Sequence, residues 1–218
     1  MDLLGEPLAP RDTVTDEICA AKLLSFSAVL DIMQSPSIEK PLSDLIPLLF
    51  PFFRHTIPTV RLAVVNTILV FLALPTIDHS WADSRLLRLL FQNLVVEDRL
   101  DVRLATSQAW HECLRLGRAD PAELTRNAIP YLKIWFRILT NPIGVALDPT
   151  WFWSARMSYG GQAGFIHNVD KAMLAQDLSL VSVEAIMTGR IAGAVAMGEL
   201  IASWSIGVRS YLCCGVRR

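Results

Sequence analysis

The chain has 218 residues, 52% of them hydrophobic and 19% charged, a balance that excludes disorder over most of its length. Twenty Lys and Arg against 21 Asp and Glu give a formal charge of −1, which argues against a dominant basic footprint for nucleic acid. Cys19, Cys113, Cys213 and Cys214 lack the spacing of a disulfide framework or a zinc knuckle, so reduced thiols in the cytosol or nucleus are expected.

Residues 1–12 carry Pro7 and Pro10 and read as a flexible tail, with no basic region followed by an apolar core and hence no secretory signal. Thr13 or Thr15 can then cap a helix reaching about Gln34, with Asp16 and Glu17 in its first turn. Ser35-Pro36-Ser37 breaks it. A helix over about 42–53 follows, bent by Pro47 and Pro51, each of which removes an amide donor. Pro58 opens the next helix, which presents Val60, Ala63, Val64, Thr67, Ile68 and Phe71 at three-and-four spacing and stops at Pro75. Its uncharged run, 62–77, is 16 residues long, short of the ~20 that span a bilayer.

The same plan returns as helices over about 84–95 and 101–116, ended by Gly117. The phrase Arg61-Leu62-Ala63 recurs as Arg103-Leu104-Ala105, 103 − 61 = 42 residues later, and again as Arg190-Ile191-Ala192. Leu45, Leu48, Val60 and Leu72 fall on Leu87, Leu90, Val102 and Leu114 in the same register. A period of about 40–47 residues is that of HEAT and armadillo arrays, where each unit is a pair of antiparallel helices. The expected fold is therefore an all-α solenoid over 13–204, with units at about 42–75, 84–117 and 121–204. Glu97 and Glu184 each stand six residues before a repeated arginine, so acids at the turn edge are expected to pair with it within or between units. Such pairs, if exposed, contribute only about 0–1 kcal/mol each.

The third unit departs from the plan. Its helices, about 121–139 and 182–204, are separated by an insert over about 141–181 where a tight turn would suffice. Loops beyond about 12–15 residues are uncommon and usually functional or disordered. Trp151, Phe152 and Trp153 argue against a featureless linker: the triplet either plugs the array's own groove or anchors a partner protein.

Catalytic chemistry finds no support. There is no G-x-x-x-x-G-K-[ST] phosphate loop, and Gly160-Gly161-Gln162-Ala163-Gly164 has no Lys-Ser/Thr after it. His55, His79, His111 and His167 are scattered, and His111 and Cys113, two apart on a helix, do not share a face for metal ligation. No catalytic, cofactor or metal residues are expected, and the chain is read as a non-enzyme.

Several phrases carry a more specific likeness: Phe52-Phe53-Arg54-His55-Thr56-Ile57-Pro58, Leu90-Phe91-Gln92-Asn93-Leu94, Asn141-Pro142-Ile143-Gly144, His167-Asn168-Val169-Asp170-Lys171 and Gln176-Asp177-Leu178-Ser179-Leu180. Over roughly 41–204 the chain resembles the central HEAT region of the modifier-of-transcription, or TATA-binding-protein-associated factor, Swi/Snf-type ATPases. The resemblance implies a nuclear scaffold that contacts the TATA-binding protein. It also implies flanking HEAT repeats and an ATPase domain in a longer protein, with DNA reached only indirectly and no membrane. Residues 205–218 do not follow the family and form an atypical tail. Two other functions remain open: binding of the DNA backbone through Arg85, Arg88, Arg99, Arg115 and Arg118, with the steep salt dependence that phosphate contacts bring, or a structural spacer between flanking repeats.

Overall fold

The computed structural model describes residues 49–55, 57–75, 77–152 and 168–214, all within the compact unit Leu42–Arg218. The tail 1–12, the helix expected over 13–34, most of that expected over 42–53, Trp153, the 160–164 glycines and residues 215–218 lie outside them. Among the described residues every regular element is helical.

A 3-10 helix, Phe50–Arg54, contains Pro51 and leads into α1, Pro58–Ala73, which starts on Pro58 and ends two residues before Pro75. Next comes α2, Ser84–Val96, capped by the Asp83 side chain, which accepts from the Leu86 amide at 2.8 Å. A break of three residues separates it from α3, Leu100–Gly117. Then α4, Pro121–Thr140, begins on Asp120, whose carboxylate accepts from the amides of Ala122 and Glu123. Within the insert lie a 3-10 turn, Pro149–Trp151, and the short α5, Asn168–Ala175. The last helix, α6, Val183–Cys214, continues beyond Trp204 into the segment read as an atypical tail.

Helix α1 packs beside α3, α2 beside α3, and α6 against α2, α3 and α4. Of the positions matched by the 42-residue period, Leu45 and Leu48 lie outside the described residues, and Val60, Leu72, Leu87, Leu90, Val102 and Leu114 are all buried. Where α2, α3, α4 and α6 meet, Phe91 stacks on Trp135 at 4.5 Å between ring centroids and Trp110 stands edge-on to Trp135 at 6.0 Å. The Trp110 indole donates to the Ala196 carbonyl at 3.2 Å, so its N–H is satisfied inside the core.

Two glycines let α6 approach this closely. A methyl at Gly189 would fall onto the carbonyl oxygen of Val95, and one at Gly193 would lie 2.9 Å from Leu139 Cδ2 and 3.0 Å from Val95 Cγ2. By length and composition the Val183–Trp204 part of α6 could cross a membrane. Here Ile186, Ala196, Met197 and Leu200 are buried against other helices, while Val183, Met187, Ile191, Val195 and Ile201 are exposed.

Candidate interaction edge and its buried charges

The break between α2 and α3 is held by a buried charge network. Glu97 is fully buried and accepts from Arg61 Nε at 2.9 Å and Arg61 Nη2 at 2.8 Å, a bidentate pairing between α1 and the α2–α3 break. Arg54 adds bonds to Glu97 at 3.0 Å and to Asn93 at 2.5 Å, and Asn93 donates to Thr106 at 2.7 Å. Arg103 donates to the backbone carbonyl of Glu97, and Arg61 also reaches Asp98 at 3.0 Å. The sequence leads one to expect weak, exposed pairs along this edge. The core pair is instead buried, because Arg54 and Arg61 converge from two elements on one carboxylate and shut water out.

Burial alone would push the Glu97 carboxyl up, but the Arg61 hydrogen bonds and the charge of Arg54 hold it at about 2. Asp98 moves the other way, raised by its own burial and by the neighbouring Glu97, which together outweigh Arg61. Burial also lowers the pKa of Arg103. Since the folded pKa of Glu97 lies below its unfolded value, its stabilisation is present above about pH 5 and is lost as pH falls toward 2. That amounts to about 3 kcal/mol. Asp98 contributes with opposite sign. Urea unfolding of the chain at a series of pH values should show this decline, and Glu97→Gln should flatten it. An equally steep decline in Glu97→Gln would place the acid sensitivity elsewhere.

The third repeated arginine departs from the expected pairing with Glu184. Arg190 Nη2 donates instead to Gln176 Oε1 at 3.1 Å, and the same oxygen accepts from the Gly144 amide at 3.1 Å. The insert thus replaces the tight turn as the arginine's partner. Gln176 is buried and takes a φ of +50°, and Gly144 takes +83°, so both ends of this link use left-handed backbone. Within the insert the Leu147 amide donates to the Leu174 carbonyl at 2.7 Å, and Arg88 of α2 fastens it from outside by donating to the Thr150 carbonyl at 2.9 Å. Arg88 also lies 5.2 Å from the Tyr131 ring centroid.

Of the aromatic triplet, Phe152 is buried, Trp151 is half-buried in the 3-10 turn beside α4, and Trp153 lies outside the described residues. Beside the Gln176 link, Ile143, Val145, Leu178 and Leu180 are exposed, with Leu178 touching the Gly144 position. The sequence places Arg54, Ile143, Gln176, Leu178 and Leu180 in the phrases of the family likeness but marks no contact for them, and it gives no sign of Val145. It also scatters the histidines, yet His79, Asp120 and Glu123 converge, with ligand-capable atoms all within 4.8 Å of one another. His79 Nε2 lies 3.3 Å from Glu123, while its Nδ1 faces Asp78 at 2.7 Å, clamping the turn before α2 to the start of α4.

Four of the five arginines proposed for DNA already have partners. Arg85 meets Asp83, Arg99 meets Asp101 and Arg115 meets Glu112, while Arg88 holds Thr150.

These features define an all-α protein whose buried polar side chains fasten helices to one another and an insert to the helices. Residues 109–212 match a family described as "Domain of unknown function (DUF3535)". The chain is similar to TATA-binding protein-associated factors. It is 29% identical to mot1 of Aspergillus fumigatus over 84% of its length, 25% identical to MOT1 of Saccharomyces cerevisiae over 81%, and 30% identical to factor 172 of Homo sapiens over 58%. It spans about 12% of the A. fumigatus protein, 11% of the yeast protein and 7% of the human one.

Proposed function

We propose that the chain is a non-catalytic, HEAT-type scaffold segment of a nuclear transcription regulator, one that offers a protein-contact edge to the TATA-binding protein. The observation that carries this reading is the fastening of the insert. Arg190 through Gln176 and Arg88 through Thr150 tie it to the helices, and the Leu147–Leu174 and Gly144–Gln176 bonds hold it together internally, so Trp151 and the exposed Ile143, Val145, Leu178 and Leu180 are presented on a fixed frame. Preordered apolar side chains lose little conformational entropy on binding. The kinship with TATA-binding protein-associated factors supports the choice of partner, and the lack of a phosphate-loop motif in these 218 residues supports a motor located elsewhere in a longer protein. Phe152, already buried, would then act as the anchor that positions Trp151.

The test is affinity capture of the chain on immobilised TATA-binding protein. Trp151→Ala should keep the helical circular dichroism and lose about tenfold in affinity. Phe152→Ala should lower the melting temperature as well. Unchanged affinity in a folded chain carrying both Trp151→Ala and Leu178→Asp would remove the insert from the interface. No capture of the folded wild type would favour the spacer reading.

A further inference from the structure

Helix α4 presents an outward face of unusual make-up. Positions 126, 129, 130, 133, 136, 137 and 140 are all exposed. At 100° per residue they occupy one sector roughly 120° wide. Arg126, Lys133 and Arg137 run along one side of it. Ile129 and Phe136, 57% and 61% exposed and two turns apart, run along the other. Among the described residues these three cations meet no acid and make no side-chain hydrogen bond, whereas Arg85, Arg99 and Arg115 each hold a neighbouring carboxylate. Glu123, the acid nearest on α4, faces His79 instead.

We infer that this face docks an acidic amphipathic helix of a partner protein. Charge complementarity sets the sign: three cations in a row call for carboxylates spaced along a parallel rod. The apolar row sets the class, because Ile129 and Phe136 need a surface that excludes water beside those carboxylates. A helix supplies both at once, with acids on one flank and large apolar residues every three to four positions on the other. The phosphate backbone of duplex DNA would satisfy the cations and leave Ile129 and Phe136 uncovered. The inference is independent of the TATA-binding-protein reading, since it uses a different face and none of the insert residues.

The probe is a fluorescein-labelled peptide about 16 residues long, with Glu and Asp on one helical face and Leu and Phe on the other. Anisotropy titrations with the full chain compare it with a shuffled isomer of the same composition and with a duplex DNA. The expected result is binding that weakens as salt is raised and is at least about tenfold tighter for the peptide than for its isomer. Lys133→Glu with Arg137→Glu should abolish most of it, and Phe136→Ser should weaken it about tenfold. Arg115→Glu, on α3, should leave it unchanged. These positions are exposed, so thermal melts of the variants should match the wild type. Absence of binding, equal affinity for the isomer, full affinity in the Lys133/Arg137 variant, or tighter binding of the DNA would each overturn the inference.

Discussion

Replacing Glu97 by alanine is expected to cost about 3–5 kcal/mol of folding stability, the loss typical when one partner of a buried ion pair is removed. The size follows from what remains. Arg61 stays at 4% side-chain exposure and Arg54 at 10%, both facing a cavity where the carboxylate stood. Neither guanidinium can shed its proton to escape the low dielectric. The Arg99 amide, which bonds to Glu97 at 3.0 Å, loses its acceptor too. Denaturant midpoints of wild type and Glu97→Ala measure the cost directly. A difference under about 1 kcal/mol would mean that the network is open to water and worth no more than a surface pair. Removing all three charges together, as Arg54→Met and Arg61→Met with Glu97→Leu, should be milder than Glu97→Ala alone, because most of the penalty is the uncompensated charge and not the lost bond.

Gly189→Ala is expected to destabilise by about 1–3 kcal/mol, the range for overpacking a close contact. The sign is the informative part. In an exposed helix interior, glycine to alanine normally stabilises by about 0.5–1 kcal/mol, through lower unfolded-chain entropy and better helix propensity. Gly198, on the same helix, has nothing within 4 Å of where its methyl would stand, so Gly198→Ala should show that ordinary gain. At Gly189 the obstacle is the Val95 backbone carbonyl, which cannot rotate away as a side-chain tip could. Melting temperatures of the two variants should therefore shift in opposite directions. A gain at both positions would show that α6 does not approach α2 as closely as described.

The helices were legible because their signals are local. Pro58 and Pro75 bracket α1, and of the apolar spacing read there Val60, Val64, Ile68 and Phe71 are buried while Ala63 and Thr67 are half-buried. The edge was only half legible. The repeated arginines pointed to the right residues, and Glu97 was placed near them. That two arginines would share one carboxylate with no water depends on Arg54, which comes from another element with no repeat to mark it. Gln176 was invisible for the same reason: a glutamine 14 residues before Arg190 has no spacing that announces a contact. Gly189 and Gly193 stood in plain view beside the third copy of the phrase. Only the position of Val95, brought there by tertiary packing, turns that pair from a mild helix defect into a requirement.

The Trp110–Ala196 bond spans 86 positions, and this has a consequence for the order of events on the ribosome. Stacked helix pairs ordinarily bury their apolar faces almost as soon as each pair emerges, since their contacts are local. Here Phe91, Trp110 and Trp135 have all been synthesised by the end of α4, yet the Val183–Trp204 part of α6, which closes over them, is not complete for a further 204 − 140 = 64 residues. At about 5–20 residues per second the nascent chain carries those rings uncovered for roughly 3–13 s. The insert that fastens the edge of the finished array is thus also a delay line. It defines the interval in which a ring-binding chaperone, or a wrong neighbour, has access to the core.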